Sequence, residues 1–261
     1  MLDKTTKSIA ILRESESILR ENFDKKRHKE FDLILTWKKS LVDNKKYLPY
    51  PSTRFASFAQ LQVKNTIDRK LCVLINSNLS SKFDGELYSL RRRIISWFDL
   101  YHPKDFDLWG YGWDKYKLII FKKTLFQFKK PLKFVPATYQ GAASDKFDTL
   151  SKYKYSICFE NTNLVDDYIS EKIFDAFLCQ NVPIYYGAPN VTEYIPRDCF
   201  IDYRDFESQD ELYDFIKNMP NEKYLTYLSA IKNYLISSKV EEFSLTNWAK
   251  AVKDSIFRLS G

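Results

Sequence analysis

Short apolar runs alternate with amphipathic segments along the chain, and their order predicts an α/β protein. FDLILTW (31–37) follows a polar, charged stretch at 14–30, which predicts helix or loop and then a buried strand. KLCVLINS (70–77) predicts a second strand, ended by the polar turn 78–85. In 86–100, Leu87, Leu90, Ile94 and Phe98 recur at the three-to-four spacing of an amphipathic helix. FDLWGYG (106–112) predicts a strand closing in glycines, and YKYSICF (153–159) another. Ile173, Phe174, Phe177 and Leu178 mark one face of a helix over 170–180, and VPIYYG (182–187) runs as a strand into a turn. Strand, helix, strand in that order implies right-handed crossovers and a parallel sheet.

From Ser208 onward the pattern is helical. Ser208 and Glu211 have capping-box spacing, Leu225, Leu228 and Ile231 stripe a second helix, and Trp248, Val252 and Ile256 a third. These helices are expected to pack against the parallel sheet, giving one domain over 67–261. The preceding 1–66 are short for a doubly wound sheet of their own, so an N-terminal domain there is expected to be small or partial.

Composition narrows the class. The 261 residues are 44% hydrophobic and 16% aromatic, enough to build a core, and apolar runs such as 71–75 are far too short for a membrane span. The charged start, 1–8, has no apolar segment followed by a cleavage site, so a cytoplasmic protein is expected. Cys72, Cys158, Cys179 and Cys199 lie far apart without a C-x-x-C pair and read as buried free thiols. A net charge of +7 favours anionic partners without choosing among them. His28 and His102, the two histidines, both fall in polar, loop-like sequence, so acid-base chemistry is expected from carboxylates or tyrosines.

Polar residues inside apolar surroundings are densest in YKYSICFENTNLVDDYISEKIFDAFLCQNVPIYYGAP (153–189). Ligands of open parallel sheets sit beyond the carboxyl ends of strands, where Glu160, Asn161, Asp166, Asp167 and Tyr168 precede the next helix. That helix start offers free N–H groups and a positive dipole end, and Lys172 adds a full charge suited to phosphate. Glu171 beside it suits ribose hydroxyls, although the pair also reads as a first-turn acid and a solvated lysine. Arg91, Arg92 and Arg93 could clamp a diphosphate, but three consecutive helical positions point three ways, so one or two at most converge on a ligand. Asp105 and Asp107 form a D-x-D that reads as charge at a strand end, and no metal site is assigned to it. Neither a P-loop nor a dinucleotide fingerprint occurs. The basic and aromatic stretch 121–134 suits a single-stranded nucleic acid or a membrane surface in principle, but reads better as lysines covering apolar surface; no nucleic-acid partner is expected.

Together these stretches resemble the α-1,3-fucosyltransferases, glycosyltransferase family 10. The resemblance rests on FENTNLVDDYISEKIFDAFLCQNVPIYYGAPNVTEYIP (159–196), flanked by SNLSSKFDGELYSLRRRII (77–95), DLWGYGW (107–113), and ILRESESI (11–18) followed by FDLILTW. It implies a GT-B-like fold: a Rossmann-type parallel-sheet donor domain, here with an incomplete N-terminal acceptor-side domain and a helical C-terminal tail. It implies an inverting transfer of fucose from GDP-fucose to an acceptor oligosaccharide or glycolipid, often the 3-hydroxyl of N-acetylglucosamine, with no cofactor required.

Carried onto matching positions, Glu171 would bind the ribose and Lys172 the diphosphate, with Arg91 as second phosphate ligand and Arg92 its substitute. Asn161 would lie near sugar and phosphate, Tyr168 against the nucleotide, and Glu14 would be the general base. The resemblance is to bacterial members acting on cytoplasmic glycolipid precursors, with peripheral membrane contact, as in lipopolysaccharide biosynthesis. The short N-terminal part leaves a second reading open, a nucleotide-sugar-binding module without catalysis.

Overall fold

The computed structural model describes residues 6–53, 68–114 and 135–260, and all its strand pairings are parallel. The boundary expected near residue 66 and the basic stretch 121–134 lie outside the described residues. The smaller sheet has the order β1 (Ile9–Leu12), β2 (Leu33–Thr36), β3 (Tyr47–Pro49), with α1 (Lys25–His28) between the first two. All four β2 residues are buried, as a strand flanked by neighbours and covered on both faces requires.

The larger sheet follows in sequence as β4 (Lys70–Ile75), β5 (Phe106–Trp109), β6 (Tyr153–Phe159), β7 (Val182–Tyr186) and β8 (Ile201–Asp202). In space the order is β5-β4-β6-β7-β8, so the winding direction reverses between β4 and β6. That reversal opens a crevice beyond the carboxyl ends of β4 and β6, the ligand position of doubly wound sheets. β6, covered on both faces, is mostly aromatic and apolar, broken by Lys154 and Ser156, with six of its seven residues buried. One cover is α2 (Tyr88–Tyr101), which buries Leu90, Ile94, Ile95 and Phe98, the last stacked on Phe106 at 4.4 Å. Another is α4 (Glu171–Leu178), which buries Ile173, Phe174, Ala176 and Phe177. The short α3 (Lys146–Leu150) leads into β6. Among the described residues, no helix is long and apolar enough to cross a membrane.

Three helices form the tail: α5 (Gln209–Lys217), α6 (Asn221–Leu235) and α7 (Leu245–Ser260). Ser208 caps α5 by accepting from the Glu211 N–H, as the spacing predicts. The expected stripes need correction. In α6 the buried positions are Tyr224, Ile231, Tyr234 and Leu235, whereas Leu225 is exposed, because tyrosines supply much of the packing face. Nor does α7 complete the larger sheet's cover. Its Trp248 indole donates to the Tyr50 hydroxyl and Arg258 donates to the Asn44 carbonyl at 2.9 Å, so it lies against the smaller unit while Ile256 faces outward. His28 is not in an exposed loop either. It is buried in α1, its ring between the Tyr47 hydroxyl at 3.0 Å and the Asn22 carbonyl at 2.7 Å. The four cysteines are buried and unpaired as expected, and burial pushes the Cys158 thiol up to about 12.

Two buried acids set the shape around the crevice. Glu160, at 0% exposure directly after β6, accepts from the Ser170 N–H at 2.7 Å, the Ser170 hydroxyl at 2.6 Å and the Lys172 ammonium at 3.2 Å. A charge so deep persists only when paired and hydrogen-bonded, and here its partners form the first turn of α4. Gly187 makes room for it: a Cβ there would fall 2.4 Å from Glu160 Cγ. Asp167, with φ of 66°, accepts from Asn190 Nδ2 at 2.9 Å, the Tyr194 hydroxyl at 2.7 Å and the Lys39 N–H at 2.9 Å. Since Lys39 follows β2, this carboxylate ties the two units together. Burial pushes the Asp167 carboxyl up, but these hydrogen bonds outweigh it and hold it below its ordinary value.

Gly187→Ala is expected to destabilise the fold by about 1–3 kcal/mol through overpacking against Glu160, read by urea unfolding. Asp167→Ala is expected to cost about 3 kcal/mol near neutral pH, the range of hydrogen bonds to a charged group. Because the folded carboxyl titrates below the unfolded one, its contribution is full above about pH 4 and fades as pH falls through the folded value. The gap between wild type and Asp167→Ala should therefore narrow in acid, and a gap constant down to about pH 2 would contradict this assignment.

Candidate active site

Where the smaller unit faces the start of α4, a cleft of about 260 Å³ is lined by Arg13, Glu14, Tyr50, Tyr168, Glu171 and Trp248, among others. It unites residues far apart in sequence. Glu14 comes from the segment just after β1, Tyr50 from just after β3, Tyr168 from the end of the β6–α4 connection, Glu171 from the first position of α4, and Trp248 from α7.

Glu14 is exposed to the cleft and accepts a hydrogen bond from the Tyr168 hydroxyl at 3.2 Å. Glu171 opens α4 behind its cap, Ser170. Burial pushes the Glu171 carboxyl up, yet the ammonium groups of Lys172 and Lys146, its own N–H and the Arg13 guanidinium leave it below its ordinary value. It is thus ionised at neutral pH and presents acceptors without donors, as a ligand for paired hydroxyls must.

Lys172 turns the other way, toward the crevice between β4 and β6. Its ammonium is held by Ser170 Oγ at 2.8 Å and by Glu160, with 20% of the side chain exposed. It shares with Arg91, Lys146 and Asn76 the lining of a small cavity of about 20 Å³. The solvated-lysine alternative therefore fails for Lys172: it neutralises a buried carboxylate and also adds charge at a helix N-terminus.

The three arginines diverge as consecutive helical positions must. Arg91 is buried at 1% exposure and donates to the carbonyls of Phe159 and Glu160, to Asn161 Oδ1 at 3.2 Å and to Asn76 Oδ1 at 3.3 Å. Burial pulls its guanidinium down from the ordinary value. Arg91 thus braces the carboxyl end of β6 from beneath the crevice. Arg92 is half-buried and donates to the Leu79 carbonyl at 2.7 Å, while Arg93 is exposed. Asn161 is half-buried and donates to the Tyr168 hydroxyl at 3.3 Å. Tyr168 itself is buried, its ring 5.2 Å from that of Trp37 across the junction of the two units. Asp105 and Asp107 belong to neither space: Asp105 accepts from Tyr213 and Lys217, Asp107 from Lys70 and Tyr153.

Of the residues named from the sequence, Glu14, Tyr168 and Glu171 line the cleft, Lys172 and Arg91 line the small cavity, Asn161 bonds Arg91 and Tyr168, and Arg92 lines neither space. Sequence reasoning overlooks Glu160 and Ser170 as the hub that orients Lys172, and Arg13, Tyr50 and Trp248 as cleft walls. An acidic residue directly after the apolar strand end Ile157–Phe159 was the available signal for Glu160. The walls carried none, since they meet only through the docking of α7 and the smaller sheet.

Residues 132–254 match glycosyltransferase family 10 (fucosyltransferase), C-terminal part. The chain is similar to the α-(1,3)-fucosyltransferase FucT of Helicobacter pylori, 39% identical over 79 residues, 30% of this chain and 16% of that protein. It is similar also to human 4-galactosyl-N-acetylglucosaminide 3-α-L-fucosyltransferase 9, 37% identical over 93 residues, 34% of this chain and 26% of that protein. The matched regions thus span about a quarter or less of these curated relatives. Among solved structures, an α1,3-fucosyltransferase with GDP-fucose superposes with a TM-score of 0.54 at 18% identity, covering 90% of this chain and 76% of the other. The glycosyltransferase-like fold is shared more widely, since TarM superposes at a TM-score of 0.57 and 10% identity over 96% of this chain and 50% of its own. The two parallel sheets are arranged as in GT-B-type fucosyltransferase structures, and residues 132–254 are similar to the C-terminal part of glycosyltransferase family 10 (fucosyltransferase).

Proposed function

We propose that the protein transfers fucose from GDP-fucose to a hydroxyl of an acceptor glycan, with inversion, the 3-hydroxyl of N-acetylglucosamine being the acceptor that the family suggests. The observation that carries this reading is one cleft lined by Glu14 from the smaller unit and Glu171 from the start of α4, with Lys172 beside it. The relatives named above supply the sugar and linkage of the proposal, and the solved fucosyltransferase with GDP-fucose supplies its donor.

In this reading the diphosphate lies at the N-terminus of α4, where the helix dipole and the Lys172 ammonium receive negative charge. Glu171 accepts hydrogen bonds from the ribose hydroxyls. The acceptor hydroxyl attacks the anomeric carbon from the face opposite GDP. Glu14 takes its proton as the new C–O bond forms and the bond from carbon to phosphate oxygen breaks. The pair of electrons leaves with GDP, whose growing charge faces Lys172 and the helix end, an electrostatic contribution that needs no proton transfer to the leaving group. Arg91 supports this from below by fixing the β6 terminus. No resident cofactor enters the scheme.

Glu14→Gln is expected to lower the rate of fucosyl transfer by about 10²–10⁴ while leaving GDP affinity unchanged, measured by product formation and calorimetry. A Glu14→Gln variant with the wild-type rate would remove the base. GDP binding without product for any acceptor tried would favour a nucleotide-sugar-binding module instead. Lys172→Ala has two separable effects. It is expected to weaken GDP binding and to destabilise the fold by about 3–5 kcal/mol, because Glu160 is left charged and unpaired. Adding Glu160→Gln should restore much of the stability but not the GDP affinity, whereas recovery of both would assign Lys172 a purely structural role.

A further inference from the structure

A groove of about 380 Å³ runs between β3 and α7, away from α4, and its two walls differ in chemistry. Its size falls within the roughly 300–1,000 Å³ of small-molecule sites. One wall is apolar, made by Val42, Leu48, Pro49 and Tyr50. Opposite, Asn247, Lys250, Ala251, Asp254 and Arg258 line it from α7, at steps of three and four and so on one helical face. A helix packed directly on its neighbour turns apolar side chains toward it, whereas α7 turns this polar face toward β3 and leaves open space. Hydrogen bonds join α7 to the smaller unit near both ends of that face, Trp248 to the Tyr50 hydroxyl and Arg258 to the Asn44 carbonyl. From 248 to 258 the helix spans about 15 Å, a slot long enough for several linked rings. Tyr50 and Pro51 line both this groove and the cleft that holds Glu14, so the two spaces adjoin at the end of β3.

We propose that this groove is a carbohydrate subsite that holds the distal sugars of the acceptor, a neutral oligosaccharide, while the sugar receiving fucose sits by Glu14. The inference rests on the proposed transferase reading and extends it to the class of acceptor. A sugar ring carries C–H patches on its faces and hydroxyls around its edge, so it fits between an apolar wall and a hydrogen-bonding one. Leu48, Pro49 and Tyr50 supply the first. On the second, Asp254 offers acceptors and Lys250 donors, and neither has a hydrogen bond or ion pair among the described residues. Asn247 spends its Nδ2 on the Glu242 carbonyl at 3.1 Å and keeps Oδ1 as an acceptor. Charge favours a neutral occupant, since Lys39, Lys250 and Arg258 are nearly offset by Glu242 and Asp254. A polyanion would meet both carboxylates, and a lipid chain would strip water from the charged α7 face without replacing its hydrogen bonds.

The test compares fucosyl transfer to methyl N-acetylglucosaminide, to the 4-galactosyl-N-acetylglucosamine disaccharide and to a tetrasaccharide of two such units, with octyl N-acetylglucosaminide as the apolar alternative. For the wild type, KM is expected to fall about tenfold from the methyl glycoside to the tetrasaccharide, beyond the factor of about two that a second reacting sugar gives, with kcat little changed. That pattern marks binding away from the reacting centre. Ala251→Trp fills the groove from α7 and is expected to raise the tetrasaccharide KM about tenfold, leaving the methyl glycoside KM and GDP affinity within about twofold. Asp254→Ala, at an exposed helix position that does not endanger folding, is expected to raise the tetrasaccharide KM about threefold with the same selectivity. A wild-type KM independent of acceptor length would overturn the inference, as would a length advantage that survives both substitutions. A preference for the octyl glycoside that Ala251→Trp removes would assign the groove to a lipid chain and overturn it too. In each of these cases, product from the methyl glycoside leaves the transferase reading standing. No product from any of these acceptors would refute that reading, and the inference with it.

Discussion

The buried carboxylate of Glu160 is the constraint around which the crevice is built. A charge with no solvent exposure must find partners inside the protein, and those it finds, Ser170 and Lys172, are the cap and second residue of α4. Satisfying Glu160 thus fixes where α4 begins and sends its two adjacent charged side chains to different places. Lys172 turns inward to the crevice, and Glu171 stays on the open side toward the smaller unit. The absence of a side chain at Gly187 is part of the same arrangement, since a Cβ would occupy the space of Glu160 Cγ. A helix N-terminus, a lysine and an ionised carboxylate are held together by one buried interaction.

The cleft also depends on how the two units are joined. Asp167 reaches the backbone of Lys39, Ser52 donates to the Ile169 carbonyl at 2.6 Å, Tyr168 packs on Trp37, and α7 returns to Tyr50 and Asn44. These ties surround the segment carrying Glu14 and hold it opposite α4. The proposed base and the proposed nucleotide ligands therefore come from different units, and their alignment is a property of the junction. Transfer between two bound molecules requires such alignment, because orientation of the reacting groups supplies much of the rate.

Much of the larger sheet was legible in the sequence, and the reasons are specific. The strand read over 153–159 is β6, residue for residue, because its aromatic and apolar residues, broken by Lys154 and Ser156, end in a polar loop. The helix at 171–178 shows itself by apolar spacing and a serine cap. The tail was less legible, since Leu225 and Ile256 keep helical spacing while facing solvent, and tyrosines or contacts with the smaller unit take their place. Local pattern reports period, not which side another element will cover. The same limit hid Tyr50 as a cleft wall and the bond by which Asp167 reaches Lys39 on the smaller unit. Arg91 shows a further limit: a row of three arginines signals charge, but only the fold reveals that one is buried against carbonyls while its neighbours turn outward.

The most direct test of the central claim is a crystal structure of the chain with GDP bound. The account predicts the diphosphate at the N-terminus of α4, within hydrogen-bond reach of the Lys172 ammonium, and the ribose hydroxyls on Glu171. GDP seated elsewhere, such as in the groove of about 380 Å³ between β3 and α7, with Lys172 still held by Glu160 and Ser170 alone, would contradict it.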